Sequence, residues 1–225
     1  MNHENVPPTP VDQLDPAAQV FGGRPVMTFG DEGQRRRFLR AAAVVGFGST
    51  LVALSQRDKL ALADASANDL EILNYALTLE YLEADFYAQG IEGGALKGRD
   101  LELVTPIGDH EKEHVAVLTD TVKSLGGKPA AKPKFTYPDG TFDDKKTFLT
   151  TASTFEELGV TAYHGQVARI EDGDILAAAA SIAGVESRHA AVVADLLGGN
   201  PFPASFEKNK SMKAVLKAAG PFIKS

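Results

Sequence analysis

The chain has 225 residues, of which 44% are hydrophobic, and this length suits one ordinary globular core better than two full domains. Its formal net charge is −7 and it has no cysteine, which excludes disulfides, thiolate metal sites and thiol nucleophiles. Residues 64–225 carry 16 Lys and Arg against 24 Asp and Glu, so nucleic acid is not an expected partner.

The first 63 residues differ in composition from the rest of the chain. Residues 1–34 are rich in Pro, Gly and polar residues without helical or strand periodicity, which predicts a disordered extension. Residues 35–63 have the order of a signal segment, with a basic cluster, an apolar run and an Ala-Leu-Ala cleavage site ending at Ala63. The apolar run of about 14 residues is shorter than the roughly 20 that cross a bilayer as a helix, although a retained N-terminal anchor stays an alternative to cleavage.

The basic cluster has the pattern of one particular export signal. Arg35 and Arg36, followed by Phe38, Leu39 and Arg40, resemble the twin-arginine motif. This resemblance implies export to the periplasm or cell envelope, with membrane contact only through an uncleaved N-terminal segment. The twin-arginine route carries folded proteins, often with a metal already bound, and without cysteine such a metal must be held by oxygen and imidazole.

From Asp64 onward, apolar residues recur at spacings of three and four, which predicts long helices. Four are expected, at 68–90, near 100–125, at 145–170 and from near 174 to 197. Asn68 or Asp69 is the expected N-cap of the first, Gly90 its expected end, and Pro106 predicts a kink or a late start in the second. A short amphipathic segment at 212–218 is expected to pack against one end.

The spacing of the helices predicts their connectivity. About 17 residues separate the second and third helices, enough to cross the length of a bundle, whereas antiparallel neighbours need only short loops. No stretch alternates with period two. Residues 64–225 are therefore predicted to form an all-α, ferritin-like four-helix bundle with a long crossover between helices 2 and 3.

An internal repeat relates the two halves of this bundle. Aligning the third helix with the first, and the fourth with the second, pairs Glu80 with Glu156, Tyr87 with Tyr163, Glu111 with Glu186, and His114 with His189. Each Glu–Tyr pair is seven residues apart and each Glu–His pair three apart. The chain is therefore interpreted as two related helical hairpins.

The repeated Glu-x-x-His unit has the spacing of a metal site. Residues three apart lie on one side of a helix, so each unit can present a carboxylate and an imidazole together. Ferritin-like di-iron and di-manganese proteins use two such units and one Glu from each of the other two helices. The corresponding set is Glu80, Glu111, His114, Glu156, Glu186 and His189. Four carboxylates and two neutral imidazoles balance two divalent ions, and these donors suit Fe or Mn.

Four segments, NYALTLEYLEADFY, DHEKEHV, TFEELGVTAYHG and AGVESRHAAVV, carry a family resemblance. They resemble the exported ferritin-like proteins of the desiccation-related family and, more distantly, bacterioferritin, rubrerythrin and manganese catalase, over about residues 66–225. In bacterioferritin and rubrerythrin a ligand Glu precedes a Tyr by seven residues, which favours Glu80 over Glu83. The internal alignment favours Glu156 over Glu157.

The predicted site favours redox chemistry. Peroxide disproportionation or oxidation of ferrous iron, with peroxide or oxygen as the small-molecule oxidant, is the expected reaction class, in protection against oxidative or drying stress. Tyr87 and Tyr163 are candidate catalytic residues that flank the ions as hydrogen-bond or one-electron donors, or else ordinary core aromatics. The alternative function is a non-catalytic envelope protein that keeps the bundle for structure or binding. Both functions are compatible with a homo-oligomer or an envelope complex.

Other polar residues near these motifs are expected to have lesser roles. His110 and His164 lie about a hundred degrees round the helix from the motif residues beside them, which predicts surface positions. Glu83, Glu113 and Glu157 are expected in solvent, with a supporting role near the ions as the alternative. Any of three aspartates could orient a ligand His through its second ring nitrogen: Asp85, Asp120 and Asp195.

Overall fold

The computed structural model describes residues 67–224, so the predicted extension at 1–34, the signal segment at 35–63 and its cleavage position lie outside the described residues. The described part consists mainly of helices, which confirms the all-α prediction. Its elements are α1 (Ala67–Gly93), α2 (Arg99–Ser124), β1 (Lys134–Phe135), α3 (Lys145–His164), α4 (Gly173–Leu196), α5 (Met212–Ala219), a 3₁₀ turn (Gly220–Phe222) and β2 (Ile223–Lys224). None of the described helices combines the length and apolar character required to cross a bilayer.

Polar side chains cap the starts of three helices by accepting hydrogen bonds from free backbone N–H groups. Asp144 does this for α3, Asp172 for α4 and Ser211 for α5. Helix α2 begins at Arg99 without a side-chain cap, so Pro106 lies inside it and the predicted late start is wrong.

Two expectations about α1 are wrong, and tertiary contacts explain both. The helix already includes Ala67, so Asp69 is not its N-cap; its buried carboxylate instead accepts hydrogen bonds from the N–H groups of Glu171 and Asp172, both at 2.9 Å. Gly90 does not end the helix. A Cβ there would lie 1.9 Å from a ring carbon of Phe148, so this glycine permits close helix packing.

Helix α3 is shorter than predicted, because it ends at His164 rather than Ile170. Residues 165–169 form turns instead. A Cβ on Gly165 would lie 1.9 Å from the carbonyl oxygen of Lys210, so the returning C-terminal segment lies directly against the end of this helix. Sequence periodicity holds no information about that contact.

The four long helices form two hairpins, α1–α2 and α3–α4, and most contacts among them lie within each hairpin. The crossover between α2 and α3 contains β1, which pairs antiparallel with β2 near the C-terminus. The crossover is also fixed to α1, since Lys132 contacts Asp85 at 2.7 Å and the Tyr137 hydroxyl donates to Asp85 at 3.1 Å. These two-residue strands are a small departure from the all-helical expectation.

Two buried apolar clusters fill the bundle. One includes Phe86, which stacks on Phe148 with ring centroids 4.6 Å apart, and it also includes Val215 and Ala219 of α5. The second lies around Leu77 on α1. Tyr87 belongs to the first cluster and Tyr163 to the second, so the two predicted tyrosines pack in separate parts of the interior.

Candidate metal centre

Each of the four long helices contributes carboxylate or imidazole groups to one buried cluster. The predicted residues of α1 and α3 are single glutamates, while α2 and α4 each contribute a Glu and a His one turn apart. All four glutamates are fully buried and both histidines are at most 7% exposed. The structure brings together all six residues that the sequence predicted: Glu80, Glu111, His114, Glu156, Glu186 and His189.

The cluster consists of two overlapping groups of potential ligands, in each of which the ligand atoms lie within 4.8 Å of one another. The first is Glu80, Glu111, His114 and Glu186, and the second is Glu111, Glu156, Glu186 and His189. Glu111 and Glu186 belong to both groups. These buried Glu and His side chains could therefore bind metal ions.

Both imidazoles direct Nδ1 at several carboxylate oxygens. His114 Nδ1 lies 3.2 Å from Glu80, 3.1 Å from Glu111 and 3.4 Å from Glu186. His189 Nδ1 lies 2.9 Å from Glu111, 3.5 Å from Glu156 and 3.8 Å from Glu186. A ring nitrogen carries at most one proton, so it cannot donate a good hydrogen bond to three oxygens at once. A cation between them would interact with all of these atoms.

Several buried atoms of this cluster have no hydrogen-bond partner. They include one oxygen each of Glu111 and Glu156, both oxygens of Glu186, and His189 Nδ1, whose approach to Glu111 lacks hydrogen-bond geometry despite the short distance. Buried polar atoms without partners are costly, and a bound cation would interact favourably with such a group of atoms. The donors fit Fe or Mn, because oxygen predominates and each group has one imidazole.

The two tyrosines link the hairpins by crossed hydrogen bonds. The Tyr87 hydroxyl of α1 donates to Glu156 of α3, and the Tyr163 hydroxyl of α3 donates to Glu80 of α1. Each tyrosine therefore holds the unshared glutamate of the opposite hairpin. Burial, and then the charge of the bonded glutamate, raises the pKa of each tyrosine well above 10, so both hydroxyls remain donors.

Crowding of carboxylates alters their protonation. Burial and the charges of Glu111 and Glu80 raise the pKa of Glu186 well above its ordinary value. Burial raises the pKa of Glu111 to about 7, against the opposing effect of the nearby His114 and His189. Burial acts in the same direction on Glu80, but the charge of His114 outweighs it and lowers the pKa. Without cations, the cluster therefore retains protons near neutral pH.

The histidines respond to the same carboxylates. Burial would lower the pKa of His189, but the nearby carboxylates of Glu111 and Glu156 outweigh it and raise the value to about 10. The pKa of His114 rises in the same way, chiefly through the charge of Glu80, which outweighs the effect of burial.

One contact to the cluster was not predicted. His110 is exposed at the surface, as expected, yet its Nδ1 lies 2.9 Å from His189 Nε2 and the two rings stack with centroids 5.2 Å apart. If His189 directs Nδ1 at a cation, its Nε2–H can donate to His110. Burial and the two neighbouring histidines lower the pKa of His110, which favours the neutral form that accepts this bond. The spacing of His110, one residue before Glu111, gave no sign of this role.

The three aspartates considered as orienting groups contact other residues or lie at the surface. Asp85 contacts Lys132 and Tyr137, Asp120 contacts Lys123, and Asp195 is exposed. The group that contacts His189 Nε2 is the ring of His110 and not an aspartate. His164 is half-buried and donates from Nδ1 to the carbonyl oxygen of Val160 in its own helix.

Of the three glutamates expected in solvent, two follow the prediction and one does not. Glu113 and Glu157 are exposed. Glu83 is only 3% exposed and one of its oxygens, Oε2, has no hydrogen-bond partner. Glu83 lies one turn after Glu80 on the same side of α1, so its burial favours the alternative, a supporting position near the cluster.

A small apolar cavity of about 40 Å³ lies next to this cluster, lined by residues that include Tyr163, Tyr75, Leu79 and Gln166. The volume is large enough for one or two molecules the size of water or dioxygen. Tyr163 both lines this cavity and donates a hydrogen bond to Glu80. The cavity therefore adjoins the first ligand group through this tyrosine.

Comparison with known proteins supports the same interpretation of the fold. No curated protein shows significant similarity to the chain. A family model described as the ferritin-like domain matches residues 68–199, which is more than half of the chain and includes almost all of the four long helices. The chain therefore belongs to the ferritin-like domain family.

Proposed function

We propose that this protein binds two Fe or Mn ions and uses them in redox chemistry with peroxide, dioxygen or ferrous iron outside the cytosol. The observation that carries this proposal is the presence of Glu111 and Glu186 in both buried ligand groups. Carboxylates shared in this way hold two cations close enough to act on one small molecule. Bound Fe or Mn would supply the change of oxidation state that this chemistry requires.

The protein's own groups would fix the ligands and exclude water. The crossed hydrogen bonds from Tyr87 and Tyr163 orient Glu156 and Glu80, so that one oxygen of each carboxylate remains for a cation. The hydroxyls stay protonated because burial raises their pKa, and they are positioned to donate a hydrogen bond or an electron beside the centre. Full burial of the four glutamates strengthens every electrostatic interaction in the cluster.

The size of the neighbouring cavity is consistent with a small substrate. Its volume of about 40 Å³ accommodates dioxygen or peroxide. The sequence resemblance to the desiccation-related family suggests that such chemistry protects against oxidative or drying stress. A non-catalytic envelope role is the competing proposal, yet it leaves the unpartnered oxygens of Glu186 without an explanation.

Metal analysis tests this proposal directly. The protein is purified gently from its native compartment and its metal content is measured; we expect about two Fe or Mn ions per chain. A content near zero would contradict the proposal. Peroxide decomposition and ferrous oxidation are then measured for Glu111→Ala, with Glu113→Ala as the control, since Glu113 is exposed on the same helix. Loss in the first variant alone is expected, whereas unchanged turnover in both would favour the non-catalytic role.

Export is tested separately from metal binding. We propose that Arg35 and Arg36 direct the chain to the twin-arginine route, so replacing both with Lys should leave the protein in the cytosol. Arg57→Lys is the matched control, because this arginine follows the apolar run instead of preceding it. Fractionation of cells that carry each variant gives the result, and normal export of the double variant would refute this proposal.

A further inference from the structure

Glu83 is a buried carboxylate outside the six-residue ligand set. It lies one helical turn after Glu80 on α1, is 3% exposed, and its Oε2 has no hydrogen-bond partner. Ordinary buried carboxylates are paired with a donor or a cation, because an unpaired one is costly. The environment of Glu83 therefore requires an explanation beyond helix packing.

The nearest feature of the opposite hairpin is Gly159 of α3. A Cβ at this position would lie 3.2 Å from Glu83 Oε1 and only 2.5 Å from Glu186 Oε2. Both carboxylates therefore converge on the space that a side chain at residue 159 would occupy. Because Glu186 is one of the two shared glutamates, Glu83 lies beside the bridging part of the cluster.

The internal repeat relates the space beside Gly159 to Glu83. The alignment that pairs Glu80 with Glu156 also pairs Glu83 with Gly159. One hairpin thus has a carboxylate where the other has no side chain, and the missing side chain makes room for that carboxylate. The pair breaks the symmetry of an otherwise matched centre.

We propose that Glu83 is a fifth carboxylate ligand of this centre. It would bind a cation beside Glu186 when one of the two cations is trivalent. The inference depends on the di-metal function proposed above. The six-residue set balances two divalent ions, so an additional carboxylate leaves an excess negative charge that one trivalent ion would offset. Burial, and then the charges of Glu186 and Glu111, raises the pKa of Glu83, which agrees with a carboxylate that lacks a compensating cation.

The test compares divalent and trivalent binding in the full-length chain. Wild type, Glu83→Gln and Glu157→Gln are titrated with Mn(II) and with redox-inert Ga(III), each in competition with a chelator. Glu157→Gln is the matched control, because it removes the same charge from an exposed position of α3 next to Glu156. We expect Glu83→Gln to weaken Ga(III) binding by at least about 100-fold and Mn(II) binding by less than about threefold, because a carboxylate that contacts only the trivalent ion acts strongly on that ion alone. The control should leave both affinities unchanged.

The outcomes separate this inference from the proposed function. If wild type binds both ions and Glu83→Gln binds Ga(III) equally well, the role of Glu83 is refuted while the di-metal function stands. If Glu157→Gln loses as much Ga(III) affinity as Glu83→Gln, the effect is one of overall charge and the inference is again refuted. If wild type binds neither ion, the di-metal function fails as well. Glu83→Ala is a second variant in case the amide does not fold, with circular dichroism as the check of folding.

Discussion

The metal-free protein should lose stability as pH rises from 5 to 8, which is opposite to the behaviour expected with bound metal. Burial raises the pKa of Glu111 from an ordinary value of 4.5 to about 7. A raised folded-state pKa contributes stability that is complete below about 4.5 and is lost as pH rises through the folded value. At about 1.4 kcal/mol per pKa unit, Glu111 alone accounts for on the order of 3 kcal/mol.

The other titrating groups of the cluster mostly act with the same sign. The pKa values of Glu83 and Glu186 are also raised, and those of His114 and His189 are raised above 6.5, so their contributions are lost at higher pH. His110 acts in the opposite direction, because its pKa is lowered, but it is exposed and its effect is small. The lowered pKa of Glu80 has its effect below about 4.5, outside this pH range.

Differential scanning calorimetry with a chelator present measures this effect. For a domain of this size, a loss on the order of 3 kcal/mol lowers the melting temperature by roughly 6–12 °C between pH 5 and 8. The same protein with saturating Mn(II) is the control, and there the melting temperature should rise with pH because protons and metal compete for the same oxygens. A flat or rising profile in the metal-free protein would show that the buried carboxylates do not carry the protons inferred here.

Four substitutions give further predictions. Tyr87→Phe removes the hydroxyl that donates to Glu156 and should lower the unfolding free energy of the metal-free protein by about 1–3 kcal/mol in urea titration. Gly159→Ala should destabilise by about 1–3 kcal/mol, whereas Gly184→Ala, whose Cβ would meet nothing within 4 Å, should stabilise by about 0.5–1 kcal/mol; equal effects would contradict the packing described. Asp69→Ala leaves two backbone N–H groups unpaired and should cost about 1–3 kcal/mol, measured by thermal melting.

The sequence was sufficient to predict the helices and the six clustered residues, because both follow from periodicity. Helical spacing puts Glu111 and His114 on one side of α2, and the repeat transfers the same pattern to α4. The family comparison confirms the ferritin-like fold. That the six residues bind metal stays a prediction.

The features that the sequence did not predict depend on contacts between distant segments. Gly90 lies within α1 where Phe148 packs closely against it, and α3 ends early where Lys210 lies against Gly165. Glu83 is buried because Gly159 leaves space on a helix from the other half of the chain. His110 contacts His189 across two helices. None of these pairs is close in sequence, so no local pattern could indicate them.

The arrangement of the hairpins determines which part of the molecule a bound cation would hold together. Most helix contacts lie within the hairpins, whereas each ligand group combines residues from both. Local opening of the metal-free protein should therefore begin at the seam between α1–α2 and α3–α4, and amide hydrogen exchange should be fastest there. Metal binding would slow that exchange, because the shared ligands join one hairpin to the other. It would add little stability within each hairpin.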